Sequence, residues 1–137
     1  MREVVASALV PFGYGDSRDP SSKDRHDVDV DGPDIQLPAK AAQMMSMAIH
    51  ELVTNAVKYG ALSQPDGRIG VTWAWIDEKA GRFELTWRES GGPTVTQPER
   101  EGFGSLMLKR ILPRDIQGEV TVDYAESGVI CRIEGKV

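Results

Sequence analysis

Between residues 39 and 59 apolar side chains recur at the spacing of an α-helix. On a wheel of about 100° per residue, Met45, Ile49, Leu52, Ala56 and Tyr59 share one side, while Glu51, Asn55 and Lys58, at i, i+4 and i+7, share another. The pattern predicts one long helix, Ala39 to Tyr59, entered through Pro38 and closed by Gly60 as a left-handed cap. Upstream, Glu3 to Leu9 predicts a short helix stopped by Pro11 and Gly13, and Gly13 to Arg25, rich in Gly, Ser, Pro and Asp, predicts a loop. His26 to Asp31 alternates with period two and ends at Gly32-Pro33, which predicts a strand with an acidic outer face.

Downstream the period stays at two. Ile69, Val71, Trp73 and Trp75 alternate with smaller or polar neighbours, and Phe83, Leu85 and Trp87 do the same beyond the polar turn Asp77 to Gly81, so the two runs predict an antiparallel hairpin. Its second arm leads through Glu89 into Ser90-Gly91-Gly92-Pro93. Pro93 to Glu101 has no period and reads as a short lid. Gly102-Phe103-Gly104 then opens a helical run, Ser105 to Leu112, closed by Pro113, and Gly118 to Tyr124 with Val129 to Val137 predicts a second hairpin through Glu126-Ser127-Gly128. Helix, strand, long helix, hairpin, lid, helix and hairpin in that order predict an α+β sandwich, with helices on one face of a mixed, largely antiparallel sheet.

At 137 residues the chain is long enough for one domain with one core, so residues 1–137 are taken as a single unit. A net charge of −5 argues against a general nucleic-acid or anionic-membrane surface. No apolar run approaches a membrane span and the amino end lacks the layout of a signal peptide, so a cytoplasmic setting is expected. The lone Cys131, in an apolar alternation, reads as a buried structural thiol.

Glu51, Asn55 and Lys58 carry the candidate chemistry. An amphipathic helix usually shows a polar stripe simply as its solvated face. Here the stripe gathers a carboxylate, an amide and an ammonium, which suit a hard cation and the phosphates it accompanies, so Mg-nucleotide is the natural guest. A Rossmann or P-loop site is disfavoured, because neither Gly-x-Gly-x-x-Gly nor Gly-Lys-Ser/Thr occurs in the required place. A zinc-protease reading of His50-Glu51 fails because Thr54 stands where the second His would be needed.

The run His50-Glu51-Leu52-x-Thr54-Asn55-Ala56-x-Lys58-Tyr59-Gly60-Ala61-Leu62-Ser63 resembles the asparagine box of the HWE group of bacterial sensor histidine kinases. That group lies within the gyrase, heat-shock-90, histidine kinase and MutL ATP-binding superfamily, and takes its name from a His in this box and a later Trp-x-Glu. Both are present, as His50 and Trp87-Arg88-Glu89.

The resemblance implies the histidine-kinase-type (Bergerat) two-layer fold. It also implies ATP with Mg²⁺ ligated by Asn55, Lys58 on phosphate oxygens and Tyr59 in the pocket wall. Glu51 would orient a metal-bound water or the incoming imidazole; in hydrolysing members it activates water. His50 falls in the box without needing to touch nucleotide, and structural use or a hydrogen bond to the Trp-x-Glu segment is equally open. Glu89 takes the place of the adenine-reading Asp of the first glycine box, the plain alternative being a solvated strand-end carboxylate. Gly91 and Gly92 let the backbone pass the base, while Pro93 departs from the superfamily's usual last Gly. Gly102, Phe103 and Gly104 match the second glycine box, on the phosphates; Arg100, Lys109 and Arg110 read as solvated.

The implied activity is donation of the γ-phosphoryl group to a histidine on a phosphoacceptor-helix domain of the same parent protein, with a response regulator downstream. Neither His26 nor His50 has the setting of an acceptor, so phosphoacceptor and sensor domains are expected to lie outside these residues. An anti-sigma-like serine kinase or ATP-binding regulator, and a stand-alone ATPase using Glu51 on water, remain alternatives.

Overall fold

The computed structural model describes residues 1–12, 28–93 and 106–137. In chain order they form α1 (Arg2–Leu9) with a 3-10 turn (Val10–Phe12), β1 (Val28–Asp31), α2 (Ala39–Lys58) and a second 3-10 turn (Ala61–Ser63). The hairpin β2 (Arg68–Asp77) and β3 (Arg82–Ser90) follows, then a π-helical turn (Met107–Ile111), α3 (Leu112–Asp115), β4 (Glu119–Ala125) and β5 (Gly128–Lys136). The loop predicted over Gly13 to Arg25, residues His26 and Asp27, and the lid and glycine turn beyond Pro93 lie outside the described residues.

The strands form one sheet in the order β1-β2-β3-β5-β4, antiparallel except for the parallel pair β1 and β2. Period-two alternation turns Ile69, Val71 and Trp73 of β2, Phe83, Leu85 and Trp87 of β3 and Cys131 and Ile133 of β5 to the same buried face. Against that face α2 packs Met45, Ala48, Ile49, Leu52, Val53 and Ala56, α1 adds Val5 and Leu9, and α3 adds Leu112. The predicted two-layer arrangement is therefore found.

Topology decides where the ends of these elements meet. Parallel neighbours need a crossover, and α2 is the crossover between β1 and β2. Its carboxyl end therefore returns to the start of β2. Because β3 runs antiparallel, its last residues lie beside that same start, with Arg68 opposite Ser90 and Ile69 opposite Glu89. The end of the polar stripe and the end of the Trp-x-Glu strand are thus brought to one rim of the sheet.

Three predicted details are corrected. Tyr59 does not belong to the buried stripe; regular helix stops at Lys58, Tyr59 has φ −132° and ψ −17°, and its side chain is 69% exposed. Once helical dihedrals end, a 100° step no longer says which way a side chain faces. Gly60 is not a left-handed cap, since its φ is −113°. A Cβ there would collide with Oε1 of Glu89, so this glycine supplies room instead of handedness. Finally, Pro113 does not close the helix before it. The turn Met107–Ile111 is widened to π-type, and Pro113 falls in the first turn of α3, where its missing N–H leaves no bond unmade.

Leu85 is fully buried at the centre of the sheet, whereas Ile76 near the β2–β3 turn is 47% exposed. Leu85→Ala should lower the unfolding free energy by about 2–5 kcal/mol, and Ile76→Ser should leave it within about 0.5 kcal/mol. Urea unfolding of both variants checks this; equal losses would place the core elsewhere.

Candidate functional site

Glu51 and Asn55 are half-buried on α2, with the Asn55 side-chain NH₂ donating to Oε1 of Glu51 across one helical turn at 3.4 Å. That donation leaves the amide oxygen of Asn55 as an acceptor. Lys58 is exposed one turn further on, so the three members of the polar stripe share the unburied side of α2. His50 is also exposed, and its carbonyl accepts the Thr54 hydroxyl at 2.8 Å.

Glu89 is not a solvated carboxylate. It is 3% exposed, continuing the inward alternation of Phe83, Leu85 and Trp87 by one more step. The Ala61 backbone N–H donates to its Oε1 at 2.9 Å, and the Trp87 indole N–H donates to its Oε2 at 3.0 Å. Two residues apart on a strand, Trp87 and Glu89 share one face, so the indole lies within reach of the carboxylate. Trp87 itself is fully buried, and is both a core residue and a donor.

Backbone crowds this junction on every side. A Cβ on Gly67 would run into the Ala61 carbonyl, and one on Gly92 into the Ala61 main chain. Gly91 has φ +71°, the left-handed region that glycine enters without strain, and packs against the Asp66 carbonyl. The loop after β3 is thereby pressed onto the turn after α2. Two separate stretches of sequence that carry candidate residues therefore meet at one place in the fold. Gly102, Phe103 and Gly104, the third predicted piece, lie outside the described residues.

In Trp87-x-Glu89 the carboxylate accepts from the Ala61 N–H and from the Trp87 indole. Gly91 and Gly92 were named from the sequence for the base, whereas the Ala61 N–H as a partner of Glu89, and Gly67 beside it, were not anticipated. Their only signal was the density of small residues, Gly60-Ala61, Gly67 and Gly91-Gly92, at the two ends that meet. Among the described residues no three His, Cys, Asp or Glu side chains gather to hold a metal by themselves. A cation there would rely on Asn55, on water and on the phosphates, which suits an ion that keeps part of its hydration shell. An open cleft lined by Arg82, Arg114, Gln117 and Glu134 lies elsewhere, by the start of β3 and the end of β5, and includes none of the predicted site residues.

Burial raises the Glu89 carboxyl above the usual carboxylate range; the N–H groups of Ala61 and Trp87 pull it down without cancelling the effect. Burial also pushes the Cys131 thiol up to about 12, as befits a structural thiol and not a nucleophile. No helix among the described residues is long and apolar enough to cross a membrane.

No family model matches the chain. Over 131 residues it is 36% identical to a blue-light-activated histidine kinase of Brucella ovis, a match covering 95% of this chain and 25% of that protein. The protein of the same name from Brucella anthropi is 31% identical over 129 residues, covering 93% and 25%. The chain therefore spans about a quarter of the length of these curated relatives. Among solved structures, the histidine kinase domain of the Erythrobacter litoralis EL346 blue-light activated histidine kinase superposes with a TM-score of 0.72 at 16% identity, covering 98% of this chain and 58% of that one. The catalytic domain of histidine kinase ThkA superposes at 0.66 and 16%, covering 98% and 91%. These likenesses concern the fold.

The raised carboxyl has a measurable consequence. A group that binds its proton more tightly folded than unfolded adds stability that is complete below its unfolded pKa and lost as pH rises through the folded one. Wild type minus Glu89→Gln, compared by urea unfolding over a pH series, should therefore shrink as pH climbs from the ordinary Glu range into the raised one. Parallel curves would mean that the carboxyl is not shifted.

Proposed function

The chain belongs to the histidine kinases, with the fold of their catalytic domains, and on that premise we propose that it binds Mg-ATP and donates the γ-phosphoryl group to a histidine on a separate phosphoacceptor-helix domain of its parent protein. The observation that carries this reading is the junction at Ala61. It sets the end of α2, with Asn55 and Lys58, directly against the end of β3 and the Gly91-Gly92 loop. We assign the chain to the HWE type on His50 and Trp87-x-Glu89.

The residues fit their assigned ligands. The amide oxygen of Asn55 is a hard, neutral donor for Mg²⁺, and Glu51, within hydrogen-bonding distance of Asn55, orients that amide or a metal-bound water. Lys58 neutralises phosphate oxygens as a mobile point charge. Glu89 accepts from the exocyclic amine of adenine, Tyr59 and His50 border the pocket, and Gly91 and Gly92 pass beneath the base. We assign Gly102, Phe103 and Gly104, which lie outside the described residues, to the phosphates on their match to the second glycine box. Bound Mg²⁺ supplies charge neutralisation at the phosphates.

Transfer needs no general base. Neutral imidazole attacks phosphorus through its nitrogen lone pair, the bond from γ-phosphorus to the bridging oxygen breaks with its electrons leaving on ADP, and the proton on the other ring nitrogen is lost afterwards. What this chain supplies is position and charge. The acceptor helices and the response regulator that receives the phosphoryl group are assigned to other polypeptide segments, and the setting to the cytoplasm. ThkA, one of the structural neighbours, has been solved in complex with a response regulator.

Asn55→Ala should weaken Mg-ATP binding by on the order of 10-fold or more and leave binding in EDTA unchanged, because the loss falls on the metal. Calorimetry with and without Mg²⁺ measures both; equal losses would remove Asn55 from the metal. With radiolabelled ATP, the chain alone should remain unlabelled and should label a separately supplied phosphoacceptor domain of its parent. Acid-labile label on His26 or His50 would overturn the assignment of the acceptor.

A further inference from the structure

We propose that Glu89 is a positioning residue for the phosphate end of the site as well as for the base: it latches the turn after α2 onto β3, so that the placement of Asn55 and Lys58 depends on a carboxylate that touches neither. This rests on the reading of the chain as an Mg-ATP-binding domain.

The path is short and made of backbone. Oε1 of Glu89 holds the Ala61 N–H. The preceding Gly60 N–H donates to the carbonyls of Asn55 and Ala56, both at 3.1 Å, and the Tyr59 N–H donates to the Asn55 carbonyl at 2.8 Å. On the other side, the Gly60 carbonyl accepts the Ser63 N–H at 3.0 Å and its hydroxyl at 2.6 Å. Gly60 is therefore fastened to the last turn of α2, to the 3-10 turn and, through the next residue, to Glu89. The last turn of a helix otherwise frays, because its carbonyls lack partners within the helix. Here the carbonyls of Asn55 and Ala56 are both secured.

Sterics support the same function. The approach of Glu89 to Ala61 is open only because Gly60 has no side chain, and Gly67 and Gly92 confine Ala61 from other sides. The Trp87 N–H holds the second oxygen, so the carboxylate cannot swing away from Ala61 without leaving a buried indole donor unpaired. The same contacts that hold the carboxylate therefore also hold the turn at Ala61.

The test separates base from phosphates. Calorimetry is run with Mg-ATP, with Mg-tripolyphosphate, which has no base, and with adenosine, which has no phosphate. Glu89→Gln keeps the shape but turns an NH₂ toward either the Ala61 or the Trp87 N–H, and should weaken Mg-tripolyphosphate by about 10-fold. Glu89→Gln combined with Trp87→Phe removes the facing donor and should recover most of that loss, which general damage to the fold would not do. Should Glu89→Gln fail to fold by circular dichroism, Trp87→Phe alone carries the test, with a smaller loss expected on Mg-tripolyphosphate. If the substitutions weaken Mg-ATP and adenosine while Mg-tripolyphosphate is unchanged, the proposal is overturned and Glu89 serves the base only. If the wild-type chain binds neither Mg-ATP nor Mg-tripolyphosphate, the Mg-ATP reading falls first and takes the proposal with it.

Discussion

A carboxylate almost wholly removed from water holds the functional end of this molecule together. Desolvating such a group costs several kcal/mol, and two hydrogen bonds to a charged acceptor return about 1.5–3 kcal/mol each, so the Glu89 arrangement comes out near balance. A near balance is what the raised carboxyl reflects: burial outweighs the two donors, but not by enough to expel the group. Replacing Glu89 by an apolar residue would leave the Ala61 N–H, a backbone donor that no change at residue 89 removes, without its partner. What would vanish is the directional tie between β3 and the turn at Ala61. The glycines around it are consequences of that tie, because each one clears space for backbone or carboxylate.

The sheet explains why such a tie can govern a site. With β1 and β2 parallel, α2 must cross the buried face and end where β2 begins, and the antiparallel β3 must end there too. One rim of the sheet therefore collects a helix carboxyl end, a strand end and the loop that follows it. Functional groups on these three can be adjusted by loop residues while Leu85, Trp87, Ile49 and Leu52 keep the layers in register.

Periodicity is legible wherever a residue sits inside a regular element. The long helix, both hairpins and the one-sided placement of the helices followed from spacings of 3.6 and 2, and the inward direction of Glu89 was implicit in Phe83, Leu85 and Trp87. Reading failed at element ends. Tyr59 kept its phase on paper after the helix had ended, Gly60 was assigned a handedness when it was needed for space, and Pro113 was read as a stop because a π-turn leaves no mark in the hydrophobic pattern. The partner of Glu89 is a backbone N–H, and sequence says nothing about which N–H groups are left over for a distant side chain.

Trp87, Glu89 and Gly60 constrain one another in a way that a list of motif letters hides. Glutamate carries its carboxylate one methylene further from the strand than aspartate would, and that reach is used to meet the Ala61 N–H beyond Gly60. A longer side chain has one more torsion to restrain. The indole two residues earlier supplies the restraint, since period two is the spacing that puts a donor and a carboxylate side by side on a strand. Glycine at 60 is then required, because any Cβ would occupy the place of Oε1. Removing the carboxylate withdraws the reason for the indole donor and for a glycine at 60, while Trp87 keeps its place in the core, so a tryptophan two residues before a glutamate and a glycine at the end of a distant helix form one structural unit.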